Sequence, residues 1–196
     1  MEIVLNGNKL DFSIEDEKTV GEILGGVESE CERSGMTITG ISLDGTALSA
    51  GELDGLFARS PESVGRIDLD TISGTDVSAM LRSTGSRFTD LVSRLREIPV
   101  QLQTGKDLLV LETIHEFSDG LQGLYQLIPL VSLTGRPASD IQIGEISLDA
   151  WPSEVSPFLS DLLEAMKSRD TVLVGDLSEY EIAPRIEQLG AVLLAV

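Results

Sequence analysis

The hydrophobic period of this 196-residue chain changes close to residue 74, and this change constrains the fold more than any other feature. Before that point, short apolar runs and polar residues alternate with a period of two, which is the pattern of half-buried β-strands. After it, apolar residues recur every three or four positions, as they do on amphipathic helices. The sequence therefore predicts an α+β protein with two domains, residues 1–73 and 74–196.

The N-terminal region opens with the signals of a hairpin. Asn6-Gly7 follows a short apolar run and is a strong two-residue turn signal. Apolar side chains then alternate with polar ones at Leu10, Phe12 and Ile14, which predicts a half-buried second strand.

A capped helix is predicted next. Thr19 and Glu22 have the spacing of a capping box, and Gly35 can adopt the left-handed conformation that ends a helix. As the single cysteine, Cys31 cannot form an internal disulfide, and its position on the apolar face predicts a core residue and not a nucleophile. The predicted apolar face consists of Val20, Ile23, Leu24, Val27 and Cys31.

Two further strands and a short helix complete this region. A strand at residues 41–43 ends at the Asp44-Gly45 turn, a short helix is predicted around residues 53–57, and a last strand covers residues 67–69. The order is strand, strand, helix, strand, short helix, strand.

This order resembles the β-grasp fold of the ubiquitin family over residues 1–72. Ubiquitin-like modifiers end in a diglycine whose carboxylate is activated, whereas this chain continues beyond Gly74. The resemblance therefore implies a binding module and not a conjugated modifier. Ubiquitin also offers an apolar patch on its outer sheet face, where alternation here places Asp68 and Asp70. These two acids are our candidates for contact with a basic protein partner.

Four amphipathic helices are predicted in residues 74–196, and their short connections favour an antiparallel bundle. We expect the first helix to end or kink at Pro99, and the last, with Asp170 as its N-cap, to kink at Pro184. The apolar faces of the four helices are, in order, Val77, Met80, Leu81, Thr84, Phe88, Leu91, Val92 and Leu95; Val110, Ile114, Phe117, Leu121, Leu124, Tyr125 and Ile128; Val155, Phe158, Leu159, Leu162, Leu163 and Met166; and Val172, Leu173, Leu177, Tyr180, Leu189 and Val192.

Residues 134–152 form the long connection of the helical region. Its isoleucines favour extended chain that packs on the bundle or on the sheet domain, because a structureless loop of this length is uncommon in a compact domain. Trp151, the single tryptophan, lies at its end. Two roles remain open for Trp151: packing at the start of a helix, or an anchor for a binding partner.

Residues with catalytic or ligand-binding chemistry are sparse. The single histidine, His115, excludes a histidine-based metal cluster within one chain, and Gly105-Lys106-Asp107 lacks the glycine and hydroxyl residue of a phosphate-binding loop. Asp68 and Asp70 have the spacing of only two calcium ligands. The run Asp176, Glu179 and Glu181 is typical of a solvated helix face. We expect no catalytic residues, no metal and no cofactor.

The chain is acidic along its whole length. Residues 1–74 contain 15 acidic and five basic residues, and residues 75–196 contain 18 and nine, for a net charge of −19. Phosphate repulsion therefore disfavours binding to nucleic acids and to anionic membranes. The acidity itself indicates recruitment of a basic partner, solubility or a saline habitat.

We expect a cytoplasmic protein, because residues 1–5 form a strand without the basic and apolar regions of a signal peptide. The hypothesis we favour is a non-enzymatic adaptor in protein–protein interactions. The alternative is a secretion- or assembly-type chaperone that holds an amphipathic helix of its client; an enzyme is a distant third. Apolar residues outside the main helix faces predict a homo-oligomer or an obligate partner: Leu108, Leu109, Leu127, Leu130 and the run 192–196.

Overall fold

The computed structural model describes residues 1–12 and 16–196, and contacts within it divide the chain into two units, Met1–Gly74 and Thr75–Val196. The first unit combines a mixed sheet with two α-helices, and the second is mostly helical. The α+β class predicted from the sequence is therefore confirmed.

The N-terminal unit is built on a five-stranded sheet with the strand order β2-β1-β5-β3-β4. Its two central strands, β1 and β5, are parallel, and all other neighbours are antiparallel. The strands are β1 (Glu2–Leu5), β2 (Asn8–Lys9), β3 (Met36–Leu43), β4 (Thr46–Ala47) and β5 (Arg66–Ser73).

Both predicted two-residue turns are present. Asn6 and Gly7 have φ angles of 48° and 81°, and Asp44 and Gly45 have φ angles of 49° and 82°. Positive φ at both central residues is the mark of a type I′ turn, whose twist matches that of the flanking strands. Local sequence therefore determines the two hairpins of this sheet.

The second strand is shorter than the predicted one. β2 ends at Lys9, although the Leu10 N–H still donates to the Ile3 carbonyl at 2.9 Å. In the register of this hairpin, Glu2 of β1 lies opposite Asp11, so the length of β1 limits the strand to Asp11 but does not explain its end at Lys9. Phe12 nevertheless packs against the core, and Ile14 lies outside the described residues.

Helix α1 (Val20–Arg33) packs across the sheet, and its predicted capping box is confirmed. The Glu22 N–H donates to the Thr19 hydroxyl at 3.2 Å, and the Thr19 N–H donates to the Glu22 carboxylate at 3.4 Å. A second helix, α2 (Ala50–Phe57), follows β4. The core between the helices and the sheet contains Ile3, Val20, Ile23, Leu24, Leu56, Val64, Ile67 and Leu69.

The C-terminal unit contains five α-helices and one π-helix. The longest helix begins as soon as β5 ends. The helices are α3 (Gly74–Gln103), α4 (Asp107–Leu127), α5 (Trp151–Ser168), α6 (Thr171–Asp176) and α7 (Ala183–Leu194), and the π-helix Leu177–Ile182 joins the last two.

Contacts along α3 show that α4 runs antiparallel to it. Phe88 lies against Gly120, and Arg94, further along α3, pairs with Glu116, which comes earlier in α4. Gly120 is needed for this approach, because a Cβ there would lie 2.7 Å from the Phe88 ring. Small residues thus let the two long helices pack closely.

Helix α7 is antiparallel to α3 on another side. In the first half of α3, Gly85 lies so close to Gly190 that an added Cβ would be 2.9 Å from the Gly190 carbonyl. Near the end of α3, Arg96 pairs with Glu187 at 2.6 Å, earlier in α7. The pair of glycines brings the two backbones together.

Of the two outcomes predicted at Pro99, an end of α3 is wrong, because the helix continues to Gln103, while a kink there stays a prediction. Leu95 and Ile98 are both fully buried, so their packing holds the helix across the proline. Pro99 also lies against α6, where a Cβ on Gly175 would be 3.2 Å from its ring. The loss of one backbone hydrogen bond is offset by these contacts.

Residues 134–152 contain short regular elements. A two-residue hairpin, β6 (Gln142–Ile143) and β7 (Ile146–Ser147), turns at Gly144 with φ +65°. Ile143 is buried, and β6 contacts α7. The prediction of extended chain is confirmed for this hairpin, which packs within the helical unit.

Candidate functional site

Asp68 and Asp70 lie on the outer face of the sheet, as predicted. Between them on β5, Leu69 is buried in the core. Asp68 is not a free charge, because the Arg66 guanidinium donates to both its carboxylate oxygens, from Nε at 3.0 and 2.9 Å. This interaction lowers the pKa of Asp68. Asp70 is the more exposed of the two acids and lies beside Gly40 of β3.

Trp151 lies in the interior of the helical unit, with only 2% of its surface exposed. It is the first residue of α5 and, together with Ile146 and Pro184, lines a small cleft between the β6–β7 hairpin and α7. Of the two roles left open by the sequence, this burial supports packing at the start of the helix.

The residues with possible catalytic chemistry lie in environments that do not activate them. Cys31 is buried in the N-terminal unit, where desolvation, then Glu30 and Glu28, raise its pKa and disfavour the thiolate. His115 is exposed on α4 in the other unit, with Nε2 3.6 Å from the Asp119 carboxylate. The buried Cys31 thiol therefore lacks the thiolate character of a nucleophile.

The acidic run of the last helices is solvated. Asp176 is exposed and Glu179 is partly exposed, while Glu181 accepts a 2.8 Å hydrogen bond from Arg185. The Arg185 guanidinium also stacks on the Phe158 ring, at 3.8 Å from its centroid. Among residues 1–12 and 16–196, no group of three or more His, Cys, Asp and Glu side chains is arranged to hold a metal ion.

Exposed apolar side chains are the most unusual surface feature. In the described part of the chain, ten large apolar side chains are exposed, by 41% to 76%, and all ten belong to the helical unit. Single exposed apolar residues are ordinary, but their concentration in one unit makes the surface of that unit a candidate for contact with a partner. They are Met80, Val100, Leu108, Leu109, Leu111, Leu163, Val172, Leu173, Tyr180 and Leu194.

One of these residues, Val172, lies at the end of α3, and two others, Val100 and Leu108, flank the turn between α3 and α4 in sequence. The helices are joined by the turn at residues 104–106, and Leu102 of α3 lines a cleft together with Val172 of α6. Val100 precedes this cleft on α3, and Leu108 follows the turn on α4. We call Val100, Leu102, Leu108 and Val172 the apolar end of the helical unit. Leu108 and Val172 are 76% and 72% exposed.

The sequence prediction identified this surface only in part. Leu108 was expected outside the main apolar face of α4, and its exposure confirms that. Val172 was expected to be buried, and this is wrong, because α6 is only six residues long and buries Val174 and Gly175 instead. The same error affects Met80, Leu163, Leu173 and Tyr180, all of which are exposed. The spacing of apolar residues predicts which face of a helix is apolar, but not how much of that face a neighbouring helix covers.

Comparisons with known proteins link the chain to families without an assigned activity. The model "TP0873 N-terminal domain" matches residues 1–73, and the model "Domain of unknown function (DUF8042)" matches residues 80–191. A Treponema pallidum (strain Nichols) protein with the name "Uncharacterized protein" is 36% identical over 190 residues, which cover 97% of this chain and 94% of that protein. No solved structure matches the chain. Within the described residues, no helix is both long enough and apolar enough to cross a membrane.

Proposed function

The chain belongs to the family of the domain of unknown function DUF8042, and we propose that it acts by binding another protein and not by catalysis. The observation that carries this proposal is that all ten large apolar side chains exposed among the described residues lie in the helical unit. Such a surface is costly in water unless a partner covers it.

The apolar end suits an amphipathic segment with basic residues beside its apolar ones. Val172 and Leu102 offer apolar contacts in the cleft, and Asp176 lines the same cleft. Asp107 begins α4 next to Leu108. The helical region carries twice as many acidic as basic residues, so a basic partner associates faster at low salt, while burial of apolar side chains holds the complex.

Two finer features of the fold belong to this proposal. The N-terminal unit is a β-grasp of the ubiquitin type: its strand order β2-β1-β5-β3-β4, with a parallel central pair and one helix across the sheet, supports this. The helical unit is an antiparallel four-helix bundle in which α6, the π-helix and α7 count as one rod. The antiparallel contacts of α3 with α4 and with α7 support it.

The cellular role that fits is an intracellular adaptor. The single cysteine of the chain is a buried thiol, which suits a reducing compartment such as the cytoplasm. A chaperone for an exported or filament-forming client uses the same surface, and the partner captured by the following experiment separates the two roles. A second copy of the chain is a third possible occupant.

The test places a photo-crosslinking amino acid at position 108 in cells of the source organism. We expect one crosslinked protein in stoichiometric yield, and Val172→Glu should reduce that yield at least several-fold, because a charge in the cleft opposes apolar contact. His115→Gln is the matched control, since His115 is equally exposed on α4. A folded intracellular partner identifies an adaptor, a secreted or polymerising client identifies a chaperone, and self-crosslinking identifies a homo-oligomer.

The proposal is wrong if position 108 crosslinks only diffusely to abundant proteins while the purified chain remains a monomer that binds no hydrophobic dye. It is also wrong if purified protein turns over metabolites and Val172→Glu leaves that turnover intact.

A further inference from the structure

We propose that the groove between α1 and β3 in the N-terminal unit binds an extended peptide segment, which adds to the sheet as a strand beside β3. This site goes beyond the apolar end of the helical unit. It shares with the proposed function only the kind of ligand, a protein segment.

The backbone of β3 is open on one side over much of its length. β5 pairs with β3 from Met36 to Leu43, but β4 pairs only with Ser42 and Leu43, and the Leu48 N–H donates to the Ile41 carbonyl at 2.9 Å. In the part of the chain that the structure describes, residues 36–40 therefore have a strand partner on the β5 side alone. An edge of this kind is a ready acceptor for an added strand.

The same edge borders an apolar cleft of about 510 Å³, which is within the size range of ligand-binding pockets. None of the eight residues of β3 is fully buried, whereas β1 and β5 each contain two buried residues. The sheet is thus incompletely covered beside β3. The apolar lining of the cleft consists of Leu24, Ile38, Ile41, Leu48, Leu53 and Phe57.

Glycines on α1 leave part of the wall of this cleft without side chains. Gly25 of α1 lines the cleft, and a Cβ at that position would meet no atom within 4 Å. Gly21, one turn earlier, lies against Phe57 of α2, so it serves the packing of the two helices. Glycine within a helix is unfavourable relative to alanine, and packing inside the unit gives no reason for Gly25. A ligand that approaches α1 closely would explain the glycine at this position.

The chemistry of the occupant follows from the lining and the charge. Alternate residues of an added strand point into the cleft, so the segment requires two or three β-branched or aliphatic residues at every second position. Glu28 lines the cleft, and acidic residues outnumber basic ones three to one in residues 1–74, so lysine or arginine flanks the apolar positions.

A β-bulge limits pairing to selected segments. The register between β3 and β5 shifts between Ile38 and Gly40, and the Thr39 hydroxyl donates to the Asp70 carbonyl at 3.3 Å. Bulges at sheet edges suppress indiscriminate pairing. Selection then depends on the side chains that the cleft accepts.

The test uses the full-length protein and a fluorescein-labelled octapeptide in which valine alternates with threonine and a lysine stands at each end. We expect saturable binding by fluorescence anisotropy, with amide NMR shifts concentrated at residues 36–40. A version of the peptide with N-methyl groups on two adjacent central residues should bind at least about tenfold more weakly, because one of any two neighbouring N–H groups faces β3 and its methylation removes a ladder hydrogen bond.

Two matched variants localise the site. Gly25→Ala adds a methyl group to the cleft wall and should weaken peptide binding by about tenfold, the loss that overpacking produces. Gly26→Ala is the control, since Gly26 also has nothing within 4 Å of an added Cβ but lines a different cleft. Both variants should unfold at equal or higher urea concentration than the parent protein, which separates blocked binding from misfolding.

Any of three results overturns the inference: no binding at about 1 mM peptide, equal effects of the two glycine variants, or amide shifts outside β3 and α1. None of these results changes what the crosslinking at position 108 shows, so the two proposals fail separately.

Discussion

Asp68 illustrates how a single contact changes what a surface residue offers to a partner. Arg66 donates to both its carboxylate oxygens, and this side-chain hydrogen bonding is the largest cause of its lowered pKa. Its negative charge is therefore largely compensated within the strand, while Asp70 is the more accessible acid of the pair.

We predict that Arg66→Gln raises the pKa of Asp68 toward its ordinary value of about 3.9. Because the folded-state pKa lies below that of the unfolded chain, the pair contributes stability above the unfolded value and loses it as the pH falls through the folded pKa. A carbon-detected NMR titration of the carboxyl measures the shift. Lys9→Gln, which removes only the contact with Glu2, should leave it unchanged. An unaltered Asp68 titration in the Arg66 variant would contradict the assigned cause.

Gly85 is a residue of the helical unit where a single added methyl group should be costly, because two of its nearest neighbours are backbone atoms. A Cβ there would lie 2.9 Å from the Gly190 carbonyl and 3.0 Å from the Leu193 Cβ. We predict that Gly85→Ala lowers the free energy of unfolding by about 1–3 kcal/mol, measured by urea denaturation. Gly123→Ala on α4 is the control: its added Cβ meets nothing, and it should be neutral or up to about 1 kcal/mol more stable. Equal behaviour of the two variants would refute close packing of α3 on α7.

The turn residues could be predicted individually from the sequence, whereas the exposure of apolar side chains could not. The Asn6-Gly7 and Asp44-Gly45 turns depend on backbone preferences of the residues themselves. Exposure of Val172 depends on which distant helix lies beside it, and this information is absent from the spacing of apolar residues. For this reason the sequence predicted the exposure of only some of the residues in the candidate surface of the helical unit.

At the scale of elements, the capping box of α1 offers a direct test. Thr19→Ala removes the hydroxyl that accepts from the Glu22 N–H and should lower the free energy of unfolding by about 1 kcal/mol. Ser29→Ala, within the same helix, removes a hydroxyl that only donates back to the Gly25 carbonyl, and it should be neutral or slightly stabilising. Urea midpoints of the two variants give the comparison, and an equal loss in both would contradict a specific role of the cap.

Element order was easier to predict from the sequence than element length. The strand around Leu10 is shorter than predicted, and α3 continues past Pro99, with Leu95 and Ile98 buried just before the proline and Gly175 of α6 against its ring. For α3, tertiary partners thus decide where the element ends. Local signals at residues 19, 35 and 170 have their partners within a few positions, and these caps were found correctly.

At the scale of the whole molecule, the net charge of −19 is spread over both units. We predict that raising ionic strength from about 10 mM to about 500 mM increases the thermal unfolding temperature, because salt screens the repulsion among carboxylates. Sodium and potassium chloride should act equally at equal ionic strength. A clear preference for one cation would indicate specific ion binding in place of screening, and an unchanged unfolding temperature would show that repulsion contributes little.

The net negative charge could be predicted from the sequence, but because the acidic residues are spread evenly over both units, they indicated no location for a binding site. Our two proposed sites are placed instead at uncovered apolar surface, in the helical unit and beside β3. Both surfaces are exposed because no other part of the described chain packs over them, and amino-acid composition does not show which surfaces are left uncovered.

The π-helix at Leu177–Ile182 has a consequence for the length of this chain. An α-helix rotates by about 100° per residue. If this segment were an uninterrupted α-helix, the buried residues of α7 would be rotated about the helix axis by roughly one residue's worth from the buried residues that precede them. The wider turns of the π-helix cancel this rotation and keep both sets on one interior. The segment thus holds one residue more than a regular helix between the same faces, and a homologous chain shorter by one residue here keeps both faces in phase. The residues concerned are Val174, Leu177 and Ser178 before, and Ile186, Leu189 and Leu193 after.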